Sequence, residues 1–398
     1  MQEAEDMVAK ETRETPTVPV WDLFVRLFHW TLVGLVTGAL VTGFLLPATW
    51  IDIHVLLGLG MAVLVIGRII WGVFGPRHAR FRDFIRPPGE VLAHLRELLK
   101  GTAPAHYGHN PLGGMMILAL ILALLALAVT GLVTWGGEFK TGPLALLDYA
   151  TGVASRNLHR LIAWGLLGLV ALHVLGVVLE SLRTRENLAR AMVTGVKRRR
   201  ADLPPPPPEA VRATPRDRVM AAASGAIVFG ALAGWALVSL TKPIPGAPVP
   251  AAAFPDDYAT ECGDCHKAYN PTILPAASWQ RLMAGLDNHF GEDATLDEET
   301  TRSITAWLTA HAAESADTKP AHLFRMVDPT NPIAASATPA WKEIHKRVAG
   351  EVFKRAPIFT RSNCFACHGD AADGWYYPGR IEIPDAPANT PPGPGGGG

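Results

Sequence analysis

Cysteine is scarce in this 398-residue sequence: Cys262, Cys265, Cys364 and Cys367 are all there are, and all lie beyond residue 260. That excludes a disulfide-dense scaffold, which needs bridges spread along a short chain. Charge is sparse too, at 18% of residues, and the 36 basic and 36 acidic side chains cancel. A zero balance argues against a chain-wide nucleic-acid or polyanion binder. No Walker or Rossmann fingerprint, nucleophile elbow or hydrolytic constellation occurs, so phosphate-loop, dinucleotide and hydrolase readings fall away. The opening "MQEAEDMVAKETRETPTVPVWD" lacks the positive, apolar, small-residue order of a cleavable signal peptide.

The four cysteines occupy two copies of one pattern. "CGDCH" holds Cys262, Cys265 and His266, and "CFACH" holds Cys364, Cys367 and His368. C-x-x-C-H is the attachment signature of c-type haem: two thiols bond the porphyrin and the adjacent histidine ligates the iron. A pair of disulfides or a Cys/His zinc site would not require a histidine directly after the second cysteine both times. Two covalent haems c are therefore expected. Such haems are attached outside the cytoplasmic membrane, which places the chain from about 255 onward in the periplasm.

Internal membrane spans must carry that segment across. Five stretches, near 24–46, 53–74, 112–135, 158–180 and 219–240, are apolar over enough residues to cross about 30 Å of hydrocarbon. Basic residues gather between spans two and three (Arg77, Arg80, Arg82, Arg86, Arg96, Lys100) and between spans four and five, where "KRRR" ends at Arg200. By the positive-inside rule both loops are cytoplasmic, the N-terminus is inside, and five spans deliver the C-terminus outside. Beside a span, "KRRR" reads as a topology and lipid-headgroup signal, with no nucleic acid implied.

Histidines inside the spans carry a second signal, because ionisable residues there mark functional sites. His29 lies near the cytoplasmic start of span one, and His54 at the outer start of span two. His159 and His173 sit near the outer and inner ends of span four. The last two are 14 residues apart, about 21 Å and close to four turns, so they project from one face at two depths. Depth pairs His29 with His173 and His54 with His159, giving two bis-histidine sites suited to two non-covalent haems b. Arg68 follows His54 by the same interval and is placed to meet a propionate of the inner haem, with snorkelling to the interface as the alternative. His78, His106 and His109 read as surface or capping residues.

"WDLFVRLFHW", "GRIIWGVFGPRHARFRDF", "GHNPLGG" and "RENLARAMVTGVKRR" resemble the bacterial cytochrome b561 family, which includes the cytochrome b subunits of nickel-iron hydrogenases. The resemblance covers about 20–200. It implies four spans, two b haems, ligands at His29, His54, His159 and His173, and electron exchange with the quinone pool. "ECGDCHKAYNPTILPAASWQRLMAGLDNHFGED" and "SNCFACHGD" resemble the small periplasmic dihaem cytochromes c, over about 255–385. That resemblance implies two histidines per iron, with His289 of "LDNHFGED" distal to the first haem. For the second, "PAWKEIHKRV" offers His345, with His322 and His311 nearby. Local spacing alone leaves Met283 and Met326 open as sixth ligands.

The expected fold is all-α: a membrane four-helix dihaem b bundle, a fifth transmembrane helix, and a small, mostly helical dihaem cytochrome c domain. Its plan runs from a cytoplasmic tail (1–20) through the four-span domain (21–200), a Pro-rich linker (201–217) and the fifth helix (218–241). A periplasmic linker (242–254), the dihaem domain (255–385) and a disordered tail (386–398) follow. From 255 onward there are 12 basic and 19 acidic residues, an acidic surface suited to a basic periplasmic cytochrome or similar redox protein. The expected function is a tetrahaem electron carrier in the bacterial inner membrane, linking quinone or quinol to that partner. Two other classes compete. Oxidation of superoxide or another small molecule at the outer b haem would use a cationic funnel of Lys140, Arg156 and Arg160; a gas or redox sensor would need an open iron position.

Overall fold

The computed structural model describes residues 16–199, 203 and 212–385. Most of the expected N-terminal tail, the proline run at 204–208 and the tail 386–398 lie outside the described residues. By internal contacts the chain divides into two compact units: Met1–Leu46, Ile53–Leu132 and Ser155–Val238 form one, and Pro47–Asp52, Val133–Ala154 and Ser239–Gly398 the other.

The first unit follows its apolar runs. Short strand β1 (Thr17–Pro19) leads into α1 (Leu23–Phe44), followed by α2 (Ile51–Phe74), α3 (Pro111–Gly137) and α4 (Tyr149–Thr184). Short strand β2 (Val196–Arg198) and α5 (Pro215–Leu240) complete it. The five helices are long and apolar enough to cross a membrane. Asp22 caps α1 by accepting Val25 N–H at 3.1 Å, and Asn110 caps α3 through Gly113 N–H at 2.7 Å. Met61, Val65, Ile121, Leu124, Leu127 and Leu166 form a shared core. Leu56, Leu161, Leu172 and Ile227 are each more than half exposed. Each such side chain in water forgoes about 1.5–3 kcal/mol of burial, whereas lipid accommodates it. This is a membrane protein.

Two features depart from the sequence reading. Helix α4 has 36 residues and starts well before the apolar run at 158. Its first turns, "YATGVASRN", contain no proline, and Asp148 caps them by accepting Thr151 N–H at 2.8 Å, so the helix begins in polar sequence. The second is the strand pair: β1 and β2 run antiparallel, Val18 opposite Lys197. The helix Leu188–Thr194 ends at Gly195, with φ at 84°. The Gly195 carbonyl accepts Val20 and Trp21 N–H at 2.9 and 3.1 Å, and a Cβ there would lie 2.9 Å from the Trp21 carbonyl. Three-residue strands leave no readable periodicity.

The second unit packs α6 (Ala276–Met283), α7 (Glu298–Ala310) and α8 (Pro339–His345) with many short 3₁₀ turns. Its core includes Tyr258, Trp279, Ile304, Leu308, Phe324 and Trp341. Buried Asn270 ties three segments: its Nδ2 donates to Val249 O (2.8 Å) and Ala372 O (3.1 Å), and its Oδ1 accepts Thr272 Oγ1–H at 2.8 Å. Residues 138–149 belong here through buried charge. Lys140 Nζ donates to Asp317 (2.6 Å) and to Leu147 O (2.7 Å), Tyr149 N–H donates to Asp317 at 3.0 Å, and Lys319 donates to Glu138 at 2.7 Å. Lys140, a candidate for the cationic funnel of the competing small-molecule reading, is 4% exposed and paired.

Candidate functional site

Three histidine pairs share one geometry. His54 at the start of α2 and His159 on α4 have ring centroids 6.2 Å apart. In the second unit the separations are 6.2 Å for His266 with His289 and 6.1 Å for His345 with His368. A metal bonded at ~2.0 Å to one nitrogen of each of two imidazoles sets the ring centres about 6 Å apart. His29 on α1 and His173 on α4 lie within electrostatic range of each other.

Hydrogen bonds choose which nitrogen is free. His345 Nδ1 lies 3.0 Å from Trp341 O, and His266 Nδ1 3.0 Å from Lys267 O. A carbonyl only accepts, so both Nδ1 atoms carry a proton and Nε2 is the nitrogen left to ligate in each ring. His54 Nδ1 sits 2.9 Å from Thr42 Oγ1 on α1, and His159 Nδ1 sits 3.0 Å from Thr130 Oγ1 on α3. The glycine after each threonine gives its ring room: a Cβ on Gly43 would lie 3.2 Å from His54 Cε1, and one on Gly131 3.2 Å from His159 Cε1. In the second unit burial pushes His368 down to about 4, assisted by nearby His345, and burial also lowers His345 and His289. These rings are therefore neutral and able to ligate.

Among the described residues no three His, Cys, Asp or Glu side chains gather to hold a metal by themselves. Two facing imidazoles fit a group that brings its own equatorial ligands, as a porphyrin does. Cys262 and Cys364 are pushed up to about 11 by burial, and Cys367 is raised by the same cause. None has the lowered pKa of an activated nucleophile. Tyr269 stands between the two cysteine motifs, its ring 5.2 Å from His266 and 5.4 Å from Phe365, and its hydroxyl donates to Ser362 O at 2.6 Å.

The other candidates are placed elsewhere. His322 Nε2 is 2.8 Å from Asp317 and its ring stacks on Tyr149; His311 Nδ1 is 2.9 Å from Trp307 O. Met283 is packed in the core and Met326 is exposed. Arg68 is 3% exposed, lies over Phe81 and Phe84 at 5.2 and 5.8 Å, and has Nη1 without a hydrogen-bond partner among the described residues. A buried guanidinium with a spare donor fits a carboxylate. His109 is not a surface residue: its ring packs 4.5 Å from Trp21 and 5.0 Å from Phe84, beside a cluster of Val18, Val20, Val25 and Tyr107. The sequence reading missed Thr42 and Thr130. Both lie in a Val-Thr-Gly tripeptide, at 41–43 and 129–131, but the same tripeptide recurs at 36–38 and 193–195, so it is no signal by itself.

Facing imidazoles in a bundle of membrane-spanning helices, with paired thiols beside two more such pairs, define the class of membrane-bound haem proteins that transfer electrons. The family comparisons narrow it. Residues 20–195 match the prokaryotic cytochrome b561 model, and 258–376 the dihaem cytochrome c model. Relatives of the first part include probable Ni/Fe-hydrogenase B-type cytochrome subunits. The one from Azotobacter vinelandii is 25% identical over 49% of this chain and 94% of its own; that from Rhodobacter capsulatus is 25% identical over 46% and 82%. The diheme cytochrome c from Rhodobacter sphaeroides is 41% identical, over 31% of this chain and 96% of its own, with a TM-score of 0.27. The chain thus carries a cytochrome b561 domain followed by a dihaem cytochrome c domain, which imply haem b and haem c as cofactors.

Proposed function

We propose that this protein passes electrons between the quinone pool and a basic periplasmic redox protein through two b haems and two c haems. In this reading His29 with His173 and His54 with His159 hold the b haems. His266 with His289 and His368 with His345 hold the c haems, bonded through Cys262, Cys265, Cys364 and Cys367. Arg68 receives a propionate of the His29/His173 haem. The observation that carries the reading is the common separation of about 6 Å in three independent histidine pairs. When bound, the haems supply one-electron chemistry. The chain's own residues supply two imidazoles at each site; holding the haems in this way would leave no iron position open, which favours outer-sphere transfer over substrate binding at iron. Pairing of Lys140 with Asp317 weakens the alternative of an anion funnel.

The positive-inside bias supports a cytoplasmic N-terminus and a periplasmic C-terminal domain. Extraction with acid acetone followed by pyridine haemochrome counting should give two non-covalent and two covalent haems per chain; any other stoichiometry overturns the assignment. Mixing purified protein with a quinol should reduce both the b and the c bands. Reduction of neither would remove the quinone step.

The acidic excess from 255 onward predicts a salt effect. A steered encounter weakens as the screening length falls from about 10 Å at 0.1 M salt to 3 Å at 1 M. Electron transfer to a small basic cytochrome is expected to slow roughly tenfold or more over that range, while quinol reduction of the b haems changes little. Stopped-flow traces over a salt series check this, and a flat cytochrome step would remove the docking role of the acidic surface.

A further inference from the structure

Thr42 and Thr130 occupy matching places on α1 and α3, each in a Val-Thr-Gly tripeptide and each against one histidine of the same facing pair. A threonine hydroxyl has one hydrogen. Thr42 Oγ1 gives it to Gly38 O at 2.8 Å, and Thr130 Oγ1 gives it to Ala126 O at 2.7 Å, the back-bond common in helices. With that hydrogen spent, each oxygen can only accept, so the proton between it and the ring belongs to His54 Nδ1 or His159 Nδ1. Both rings therefore keep the lone pair on Nε2, the nitrogen left free to ligate. Gly43 and Gly131 keep the ring edges uncrowded, since a Cβ at either would lie 3.2 Å from its histidine. The other membrane pair is built differently: His29 Nδ1 is buried without a hydrogen-bond partner among the described residues.

We propose that Thr42 and Thr130 are positioning residues for the His54/His159 haem, which fix both axial imidazoles as Nδ1–H donors and thereby tune that centre and not the His29/His173 centre. The inference rests on the assignment of those histidines as ligands. A hydrogen bond accepted from the far nitrogen makes an imidazole a stronger donor to metal, and such partners fix both tautomer and ring orientation. Stronger donation favours the ferric state. Removing both acceptors should shift the balance toward the ferrous state by about tenfold, which is about 59 mV for a one-electron couple.

The test uses the full-length protein. Thr42→Val, Thr130→Val and their double variant keep a branched side chain and lose the oxygen; Thr42→Ser and Thr130→Ser keep the oxygen and lose the methyl. Potentiometric titration of the b bands, with electron paramagnetic resonance of the ferric protein, reads each centre separately. The double valine variant should raise the potential of one b centre by about the amount above and alter its ferric signal, with the serine variants near the parent and the other b centre unmoved. Loss of that haem in the valine variants alone, with retention in the serine variants, also supports the role of the hydroxyl. An unshifted double valine variant, an equal shift in the serine variants, or haem loss in valine and serine variants alike overturns it. Should His54→Ala leave both b centres in place, the ligand assignment itself fails. Should it remove one while the valine series is silent, only the threonine inference fails.

Discussion

His54→Ala and His159→Ala are each expected to delete one b-type centre, and the same one, while His29→Ala and His173→Ala delete the other. The two histidines of α4 are 14 residues apart on one helix, about 21 Å along its axis, so they cannot serve one iron. His159 faces His54 at 6.2 Å, and His173 interacts with His29. Reduced-minus-oxidised spectra should therefore lose about half of the b signal in any single variant, since an iron stripped of one axial imidazole in a bundle core is poorly retained. Pairing His54→Ala with His159→Ala should cost no more than either alone, whereas pairing His54→Ala with His29→Ala should leave no b signal. Any other pairing of phenotypes refutes the two-level arrangement.

The second large effect concerns Asp317. Its carboxylate meets Lys140, His322 and the Tyr149 N–H together, and the Lys140 side chain is 1% exposed. Asp317→Ala strands that ammonium with only the Leu147 carbonyl. Breaking a buried pair costs 3–5 kcal/mol, and the partial exposure of Asp317 lowers the expectation to about 2–3 kcal/mol. Adding Lys140→Met should recover much of the loss, because the uncompensated charge is then gone. Burial raises the Asp317 pKa, but the hydrogen bonds from Lys140, His322 and Tyr149 outweigh it and hold the group below 3.8. A lowered carboxyl contributes stability that is present above its unfolded value and lost as pH falls through its folded one. The difference between parent and Asp317→Ala should thus be full at pH 7 and shrink below about pH 4. Denaturant unfolding monitored at the c haem bands measures both.

Much of the site was legible because its residues are chemically rare in their surroundings. A histidine in an apolar span or behind a cysteine pair has few other reasons to be there, so His54, His159, His266 and His368 stood out as candidates by context, and each lies about 6 Å from a second histidine. His345 was harder to separate from His322 and His311, since all three lie in polar helical sequence; its approach to His368, at 6.1 Å, is what distinguishes its setting. Thr42 and Thr130 were hidden for the opposite reason: threonine in a membrane helix ordinarily bonds its own backbone, and these do so as well. The early start of α4 rests on the local Asp148 cap, which apolar runs do not show, while the Val18–Lys197 pairing and the enclosure of Lys140 depend on contacts remote in sequence. Periodicity is blind to these.

Asn270 bears on the order of events during synthesis. Its side chain reaches back to Val249 and forward 102 residues to Ala372, which follows the second cysteine motif. A chain emerging from its N-terminal side therefore presents Cys262 and Cys265 while this carboxamide still lacks its last partner. The first motif's neighbourhood therefore gains this tether only after the second motif has appeared, so the two thiol pairs share a structural link made late in the chain.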